Sequence, residues 1–144
     1  MTVTERVKDD LTTAMKAGER DRVGTLRLVL SELQKAAKDG HDDEPAVLRR
    51  ERKRRHEAAR AFRDGDRPEL AEQEEAEAVL IETYLPAELS DGELRALVAE
   101  AVAESGATSP RELGRVMPAA MAKVAGRADG HRVSNQVKEL LQGA

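Results

Sequence analysis

The sequence predicts an all-α protein, with a four-helix N-terminal lobe that contains a long charged hairpin and a small three-helix C-terminal lobe. Apolar residues recur every three or four positions through almost the whole chain, which is typical of amphipathic helices. No stretch alternates β-branched and polar residues in the manner of a half-buried strand. Glycines, prolines and capping residues divide the apolar pattern into seven predicted helices.

The first two helices are marked by capping residues and glycines. Thr2 and Glu5 have the spacing of a capping box, so the first helix is predicted to begin there and to continue to Gly18. Asp21 is the predicted cap of the second helix, and Gly40 is its predicted stop, because glycine tolerates the left-handed backbone found after many helices.

The next two helices each begin at a proline, which is tolerated in the first turn of a helix. The segment HDDEP, residues 41–45, places acidic cap candidates before Pro45, and the third helix is predicted to extend to about Arg63. The fourth helix is predicted to begin at Pro68 and to end at Leu85-Pro86. Together they are the predicted hairpin of the N-terminal lobe, residues 1–86.

This hairpin carries opposite charges on its two arms. Residues 44–65 contain eight basic and four acidic residues, a net charge of +4, whereas residues 66–93 contain one basic and ten acidic residues, a net charge of −9. A short turn would fold the acidic helix along the basic one, where each exposed ion pair contributes only about 0 to 1 kcal/mol. The alternative, that the basic run 49–55 is a surface for a partner, stays open.

The C-terminal lobe, residues 90–144, follows a linker at about residues 86–89. Ser90 and Glu93 predict a second capping box, and Ser109 predicts another helix start, with Glu112 reaching back to it. Pro118 lies inside the apolar pattern of that helix, so we expect a kink there. Residues 94–144 contain seven basic and five acidic residues, a net charge of +2, which predicts a mildly basic lobe.

The turn before the last helix is the candidate binding site. Gly126 is predicted to end one helix, Asp129 to cap the next, and Gly130 to complete the turn. A helix N-terminus offers unpaired N–H groups and the positive end of the helix dipole to a phosphate. The residues around it that are predicted to hold a phosphate backbone are Lys123, Arg127, His131, Arg132, Ser134, Asn135 and Lys138. Spacing alone favours a plain connector, in which Asp129 satisfies those N–H groups and the basic residues are solvated.

Other chemistry finds little support in the residues. The absence of cysteine excludes disulfides, thiolate nucleophiles and zinc fingers, and the three histidines lie too far apart in sequence to predict a metal site. Neither a phosphate-binding glycine loop nor a serine-nucleophile motif is present. We therefore predict no catalytic residue, metal or cofactor. The first residues lack the basic lead and apolar run of a signal peptide, so we expect a cytoplasmic protein with no membrane contact.

Three blocks of the chain resemble the YqeY family: "AMKAGERDRVGTLRLVLSEL", "EEAEAVLIETYLPAELSDGEL" and "GATSPRELGRVMPAAMAKVAGRADGHRVSNQVKELL". The last block is also similar to the tail domain of GatB, the B subunit of the glutamine-dependent aminoacyl-tRNA amidotransferase. The matching positions there are Gly126, Arg127, Ala128 and Asn135. The resemblance implies two helical lobes, and a tail that helps to hold tRNA while amide transfer takes place in other domains.

The resulting functional expectation is an accessory protein that binds RNA, with tRNA as the partner that the resemblance implies. One alternative is an adaptor that docks on a larger protein through the charged hairpin. Another alternative is a carbon-nitrogen ligase activity with glutamine as amide donor. This activity is attached to the family as a whole, and the chain would carry it by association. The sequence leaves the RNA, the protein partner and the oligomeric state open.

Overall fold

The computed structural model describes residues 1–41 and 43–143, and the regular secondary structure in these residues is entirely helical. The all-α prediction is therefore confirmed. The helices are α1 (Val3–Ala17), α2 (Arg20–Lys38), α3 (Glu44–Asp64), α4 (Pro68–Glu82), α5 (Asp91–Ser105), α6 (Leu113–Val124) and α7 (Gly130–Gln142). A short 3-10 turn, Pro110–Glu112, precedes α6.

The chain divides into two compact units, Met1–Leu85 and Pro86–Ala144. In the first, the N-terminal unit, α1 packs on α2, α3 packs along α4, and α2 contacts both arms of the α3–α4 hairpin. All four helices contribute side chains to its core. The main core residues are Val7, Ala14, Leu26, Val29, Leu33, Ala36, Val47, Leu48, Ile81 and Tyr84.

The start of α1 agrees with its prediction, and the start of α2 does not. Thr2 and Glu5 form the predicted capping box, with 3.1 Å from the Glu5 backbone nitrogen to the Thr2 hydroxyl. Asp21 does not cap α2, because that helix already begins at Arg20. Gly18, with φ 71°, reverses the chain so tightly that the Glu19 N–H still donates to a carbonyl of α1. Glu19 occupies the position before α2, and its side chain makes no capping hydrogen bond.

The charged hairpin begins and ends close to the predicted positions. Asp43 caps α3 by accepting a hydrogen bond from the Ala46 N–H at 3.1 Å, and Pro45 lies in the first turn. Asp42, the other aspartate among the predicted caps, lies outside the described residues. The fourth helix ends at Glu82, before the predicted Leu85-Pro86.

Glu44 joins the starts of α1 and α3 across 40 residues of sequence. Its carboxylate accepts hydrogen bonds from the Thr4 hydroxyl at 2.7 Å and from the Thr4 and Val3 backbone N–H groups at 2.9 and 3.1 Å. Partial burial by itself would raise the pKa of Glu44, but these three hydrogen bonds favour the charged form and lower it. The carboxylate thus satisfies two N–H groups that α1 cannot pair internally.

The second unit, the C-terminal unit, has an apolar core that joins α5, α6 and α7. Every described side chain buried in it is apolar, whereas the buried polar side chains of the described residues, Thr25 and Glu51, belong to the N-terminal unit. The core residues are Leu89, Leu94, Val98, Ala101, Ala107, Val116, Ala120, Val124, Ala128, Val133, Val137 and Leu141.

The helix starts in this unit follow the predictions in part. Ser90 and Glu93 form the predicted capping box of α5. Ser109 accepts a hydrogen bond from the Arg111 N–H within the 3-10 turn, and α6 begins only at Leu113. The predicted return of Glu112 to this cap is wrong, because its carboxylate pairs with an arginine one turn later. Pro118 lies inside α6, which continues to Val124, and the kink there stays a prediction.

Candidate nucleic-acid interface

The turn between α6 and α7 is built from two consecutive left-handed residues. The helix ends at Val124, two residues before Gly126, which was predicted as its stop. Ala125, with φ 51°, caps α6 by donating its N–H to the Met121 carbonyl, and Gly126 follows with φ 78°. Because the left-handed region disfavours alanine and suits glycine, the sequence pointed to Gly126 as the first residue of the turn. The prediction thus identified the turn, but the turn begins one residue earlier, at Ala125.

Asp129 caps α7 as predicted. Its carboxylate accepts a hydrogen bond from the Arg132 backbone N–H at 2.8 Å, and Gly130 is the first residue of the helix. This capping interaction uses one of the N–H groups that a phosphate would otherwise bind. The anion site predicted at this helix end is thus partly filled by the protein itself.

Two of the predicted RNA-contacting residues hold the segment that precedes α5. Arg127 donates from Nε to the Ala87 carbonyl at 3.0 Å, and its own carbonyl accepts the Leu89 N–H at 2.8 Å. Arg132 donates from Nη2 to the Leu89 carbonyl and to the Asp91 carboxylate, both at 3.0 Å. Both guanidinium groups therefore have a structural role within the C-terminal unit.

Carboxylates close to these arginines reduce the local positive charge. Arg127 Nη2 lies 3.7 Å from the Glu93 carboxylate. The pKa of Glu93 is lowered first by hydrogen bonds from Ser90 and further by the Arg127 charge. Glu93 is therefore ionised at neutral pH and partly neutralises Arg127.

The unit as a whole is not basic. Residues 86–144 contain seven basic and eight acidic residues, a net charge of −1. The predicted +2 counted from residue 94 and so omitted Glu88, Asp91 and Glu93, the last two of which pair with the arginines. Any attraction for a phosphate backbone must come from one face of the unit rather than from its net charge.

Lys123 lies at the other end of α5 from the two arginines. Its ammonium group is 3.0 Å from the Glu104 carboxylate and 3.5 Å from that of Glu100. The hydrogen bond that Lys123 donates to the Glu104 carboxylate is the main cause of the raised pKa of Lys123. Glu104 follows Asp91 by 13 residues, which is about 20 Å along the helix axis. The structure therefore separates Lys123 from Arg127 and Arg132.

The outer face of α7 brings three of the predicted residues together. His131, Asn135 and Lys138 are exposed and follow one another at i, i+4 and i+7, so they share one side of the helix. Ser134 is half-buried, nearer the apolar side that faces the core. In the residues that the structure describes, neither His131 nor Lys138 forms an ion pair with a carboxylate. This face is therefore available for an external ligand.

A shallow groove of about 480 Å³ lies between α5 and α7 beside this face. Arg95, Arg132 and Asn135 line it, together with the carboxylates of Asp91 and Glu139. Arg95 was not among the predicted site residues, because the sequence does not show that α5 lies beside α7. The groove offers cations and amide groups to a ligand, but its charge is mixed.

The charged hairpin shows the predicted pairing at specific positions. Arg55 of α3 lies 3.1 Å from the Glu77 carboxylate and 3.8 Å from that of Glu74, both in α4. Arg63 makes a hydrogen-bonded ion pair with Glu75 at 2.7 Å. At least part of the basic arm is therefore used inside the hairpin.

One carboxylate of the basic arm is itself buried. Glu51 is 2% exposed, and Arg54 and Arg55 approach it at 2.8 and 3.6 Å. Within the basic run 49–55, these two arginines are thus paired with a residue of the same helix.

Across residues 1–41 and 43–143, no group of three or more histidine, aspartate or glutamate side chains is arranged to hold a metal ion. No helix in these same ranges has the length and apolar character needed to cross a membrane.

Comparison with known proteins identifies relatives across the chain. The family model of Yqey-like proteins matches residues 4–141. The chain is also similar to the uncharacterized protein C22F3.15 of Schizosaccharomyces pombe, with 31% identity over 90 residues. That alignment covers 59% of this chain and 73% of the yeast protein.

Proposed function

The chain belongs to the YqeY family, and we propose that it is a cytoplasmic accessory module of the GatB/YqeY type that binds RNA weakly, with tRNA as the first candidate. In this proposal the four-helix N-terminal part is the scaffold and the three-helix C-terminal part carries the RNA-binding face. The observation that carries it is the exposed face of α7, with His131, Asn135 and Lys138 beside the α5–α7 groove.

The groups on this face suit a phosphate backbone better than a particular base sequence. Lys138, Arg95 and the partly exposed Arg132 supply positive charge, and the Asn135 amide can both donate and accept hydrogen bonds. Phosphate contacts position a nucleic acid without reading its sequence. Asp91 and Glu139 lie in the same groove and repel phosphate, which is why we propose weak binding.

The structure changes which residues the proposal depends on. Arg127 and Arg132 hold the backbone before α5, so substituting them would disturb the fold as well as any RNA contact. Lys123 lies at the other end of α5 and is paired with two carboxylates. The proposal therefore depends mainly on Arg95 and Lys138, and Lys123 becomes a control position.

The test is a titration of labelled tRNA by fluorescence anisotropy at several salt concentrations. Contacts to two to four phosphates predict that log affinity falls against log salt with a slope between about −1.5 and −3.5. An Arg95→Ala/Lys138→Ala variant should bind more weakly and should make this slope shallower by about 2. Lys123→Ala should leave both the affinity and the slope unchanged.

Two outcomes would overturn the proposal. One is the absence of salt-dependent tRNA binding by the unaltered protein. The other is an equal loss of binding in Lys123→Ala, which would indicate a general charge effect. The proposal assigns no residue to the carbon-nitrogen ligase activity associated with the family.

A further inference from the structure

A second groove, of about 700 Å³, lies in the N-terminal unit between α2 and α4, and we refer to it as the α2–α4 groove. Ala76, Val79 and Leu80 of α4 and Thr25 of α2 supply its apolar and neutral surface. Val79 is 61% exposed. Single exposed apolar residues are common, but a concave surface with an apolar lining is typical of a binding site.

The walls of the α2–α4 groove are acidic. The described lining includes four carboxylates, those of Asp21, Glu69, Glu72 and Glu77, and one basic side chain, Arg22. The Arg22 guanidinium lies 3.9 Å from a carboxylate outside this lining, that of Glu19. Glu77 is itself paired with Arg55, so the excess of negative charge around the apolar lining comes from Asp21, Glu69 and Glu72.

Among the residues that the structure describes, the pairing of α3 with α4 leaves part of the negative charge of α4 unpaired. The basic arm neutralises the side of α4 that faces it, where Arg55 pairs with Glu77 and Glu74. Glu69 and Glu72 lie on the opposite, exposed side, and within the described ranges no basic side chain comes within 4.0 Å of either carboxylate. The acidic charge of α4 is therefore only partly used in pairing with α3.

The pKa of Glu77, which lines the groove, is consistent with this acidic environment. Burial is the largest cause that raises its pKa, and the nearby Glu74 and Asp21 carboxylates raise it further, whereas Arg55 lowers it. Like charges held together in this way favour the approach of a cation.

We propose that the α2–α4 groove binds a basic amphipathic helix of a partner protein. The α4 wall from Glu69 to Thr83 spans 14 residue steps, or about 21 Å, which matches about four turns of a bound helix. Apolar side chains at i, i+3, i+4 and i+7 of that helix would cover Val79 and Leu80, and its Lys and Arg side chains would face Asp21, Glu69 and Glu72. The groove repels nucleic acid, so this proposal is independent of the RNA-binding face in the C-terminal unit.

The test uses the full chain and a synthetic helical peptide of about 15 residues, built from leucine at those spacings and lysine elsewhere. Val79→Lys places a like charge and a polar side chain in the floor and should weaken peptide binding at least about tenfold. Met15→Lys is the matched control: it makes the same kind of change at a 52% exposed residue that does not line the groove. It should alter the affinity by less than about twofold.

A second pair of variants tests the charge alone. Glu69→Gln/Glu72→Gln should weaken binding and reduce its salt dependence, whereas Asp9→Asn/Glu57→Gln removes the same charge from exposed residues outside the groove and should do neither. A peptide with glutamate in place of lysine should not bind. This pair also keeps the test valid if circular dichroism shows that Val79→Lys impairs folding.

Three results would overturn the proposal. In the first, Val79→Lys binds the peptide as well as the unaltered chain. In the second, each matched control loses as much affinity as its groove variant, so that the attraction is general. In the third, sedimentation shows a dimer of the chain that Val79→Lys converts to a monomer, which would make a second copy the occupant. None of these measurements involves RNA, so failure here is distinct from failure of the RNA-binding proposal.

Discussion

The two units of the protein place their charged residues in different ways. The N-terminal unit buries the carboxylate of Glu51 beside Arg55, which in turn reaches carboxylates of α4. The described interior of the C-terminal unit is apolar, and its arginines Arg127 and Arg132 hold a chain segment at the edge instead.

This difference separates two uses of charge. A buried ion pair is costly to desolvate, and it is tolerated only in the arrangement that satisfies its groups. In the N-terminal unit the charges therefore favour one pairing of α3 with α4. In the C-terminal unit the apolar stripes already determine the packing, and the arginines secure residues 87–91 against it.

The largest expected effect is at Glu51. Glu51→Ala removes the buried carboxylate that Arg54 and Arg55 approach, but Arg55 keeps its two carboxylate partners in α4. The free energy of unfolding should therefore fall by about 3 kcal/mol, the lower end of the range for a broken buried pair. The matched control is Glu57→Ala, in the same helix, whose carboxylate is 65% exposed and lies 3.9 Å from Lys53. It should cost less than about 1 kcal/mol.

Urea denaturation followed by circular dichroism compares the two variants. Equal losses in Glu51→Ala and Glu57→Ala would show that the buried charge has no special weight in the N-terminal unit, and the contrast between the units would then fail.

An intermediate effect is expected at Glu44, which pairs the ends of two helices rather than two helix faces. Glu44→Gln weakens three hydrogen bonds to a charged acceptor and should lower the free energy of unfolding by about 1 to 3 kcal/mol at neutral pH. Because folding lowers the pKa of Glu44, its contribution is fully present above the ordinary value of 4.5. The contribution is lost as pH falls through the lower pKa of the folded state.

Denaturant titrations at neutral pH and at a series of pH values below 4.5 test this effect. The difference between Glu44→Gln and the unaltered protein should shrink as pH falls. A difference that stays constant over this range would rule out the lowered pKa as its origin.

The smallest of the three effects is expected at Arg132. Arg132→Ala removes the hydrogen bond to the Leu89 carbonyl and should lower the free energy of unfolding by about 1 kcal/mol. It should also accelerate hydrogen exchange at the Leu89 amide, because this amide donates to the Arg127 carbonyl and belongs to the segment that Arg132 holds. Arg115→Ala is the control, since Arg115 pairs with a carboxylate three residues earlier in the same helix region and its side chain is 63% exposed.

Arg115→Ala should change stability by less than about 0.5 kcal/mol and leave the Leu89 amide unaffected. Faster exchange at Leu89 in both variants would mean that Arg132 does not secure the segment before α5.

Local patterns predicted much of the helical structure because their partners lie three or four residues apart. The capping boxes of Thr2 with Glu5 and of Ser90 with Glu93 are present as predicted, and Asp129 caps α7. Predictions failed where two elements meet closely. The cap expected from Asp21 was displaced by the tight turn at Gly18, and Ala125 adopted the left-handed conformation expected first at Gly126.

The candidate site was less accessible to such reasoning. The sequence placed seven polar residues near one turn, but only packing determines which of them face the solvent and which face a carbonyl. Arg127 and Arg132 turned toward residues 87–91, about 40 positions earlier in the chain, and Lys123 toward the far end of α5. Arg95 lies in the site because α5 packs beside α7, which the sequence did not show.

The sequence by itself determined the all-helical class and most helix ends, because helical periodicity and capping depend on neighbours along the chain. The tertiary structure alone decided that Glu51 is buried, that Glu44 caps a distant helix, and that the acidic side of α4 lines a groove with α2. Burial and long-range hydrogen bonds depend on groups far apart in sequence, and these arise only when the helices pack.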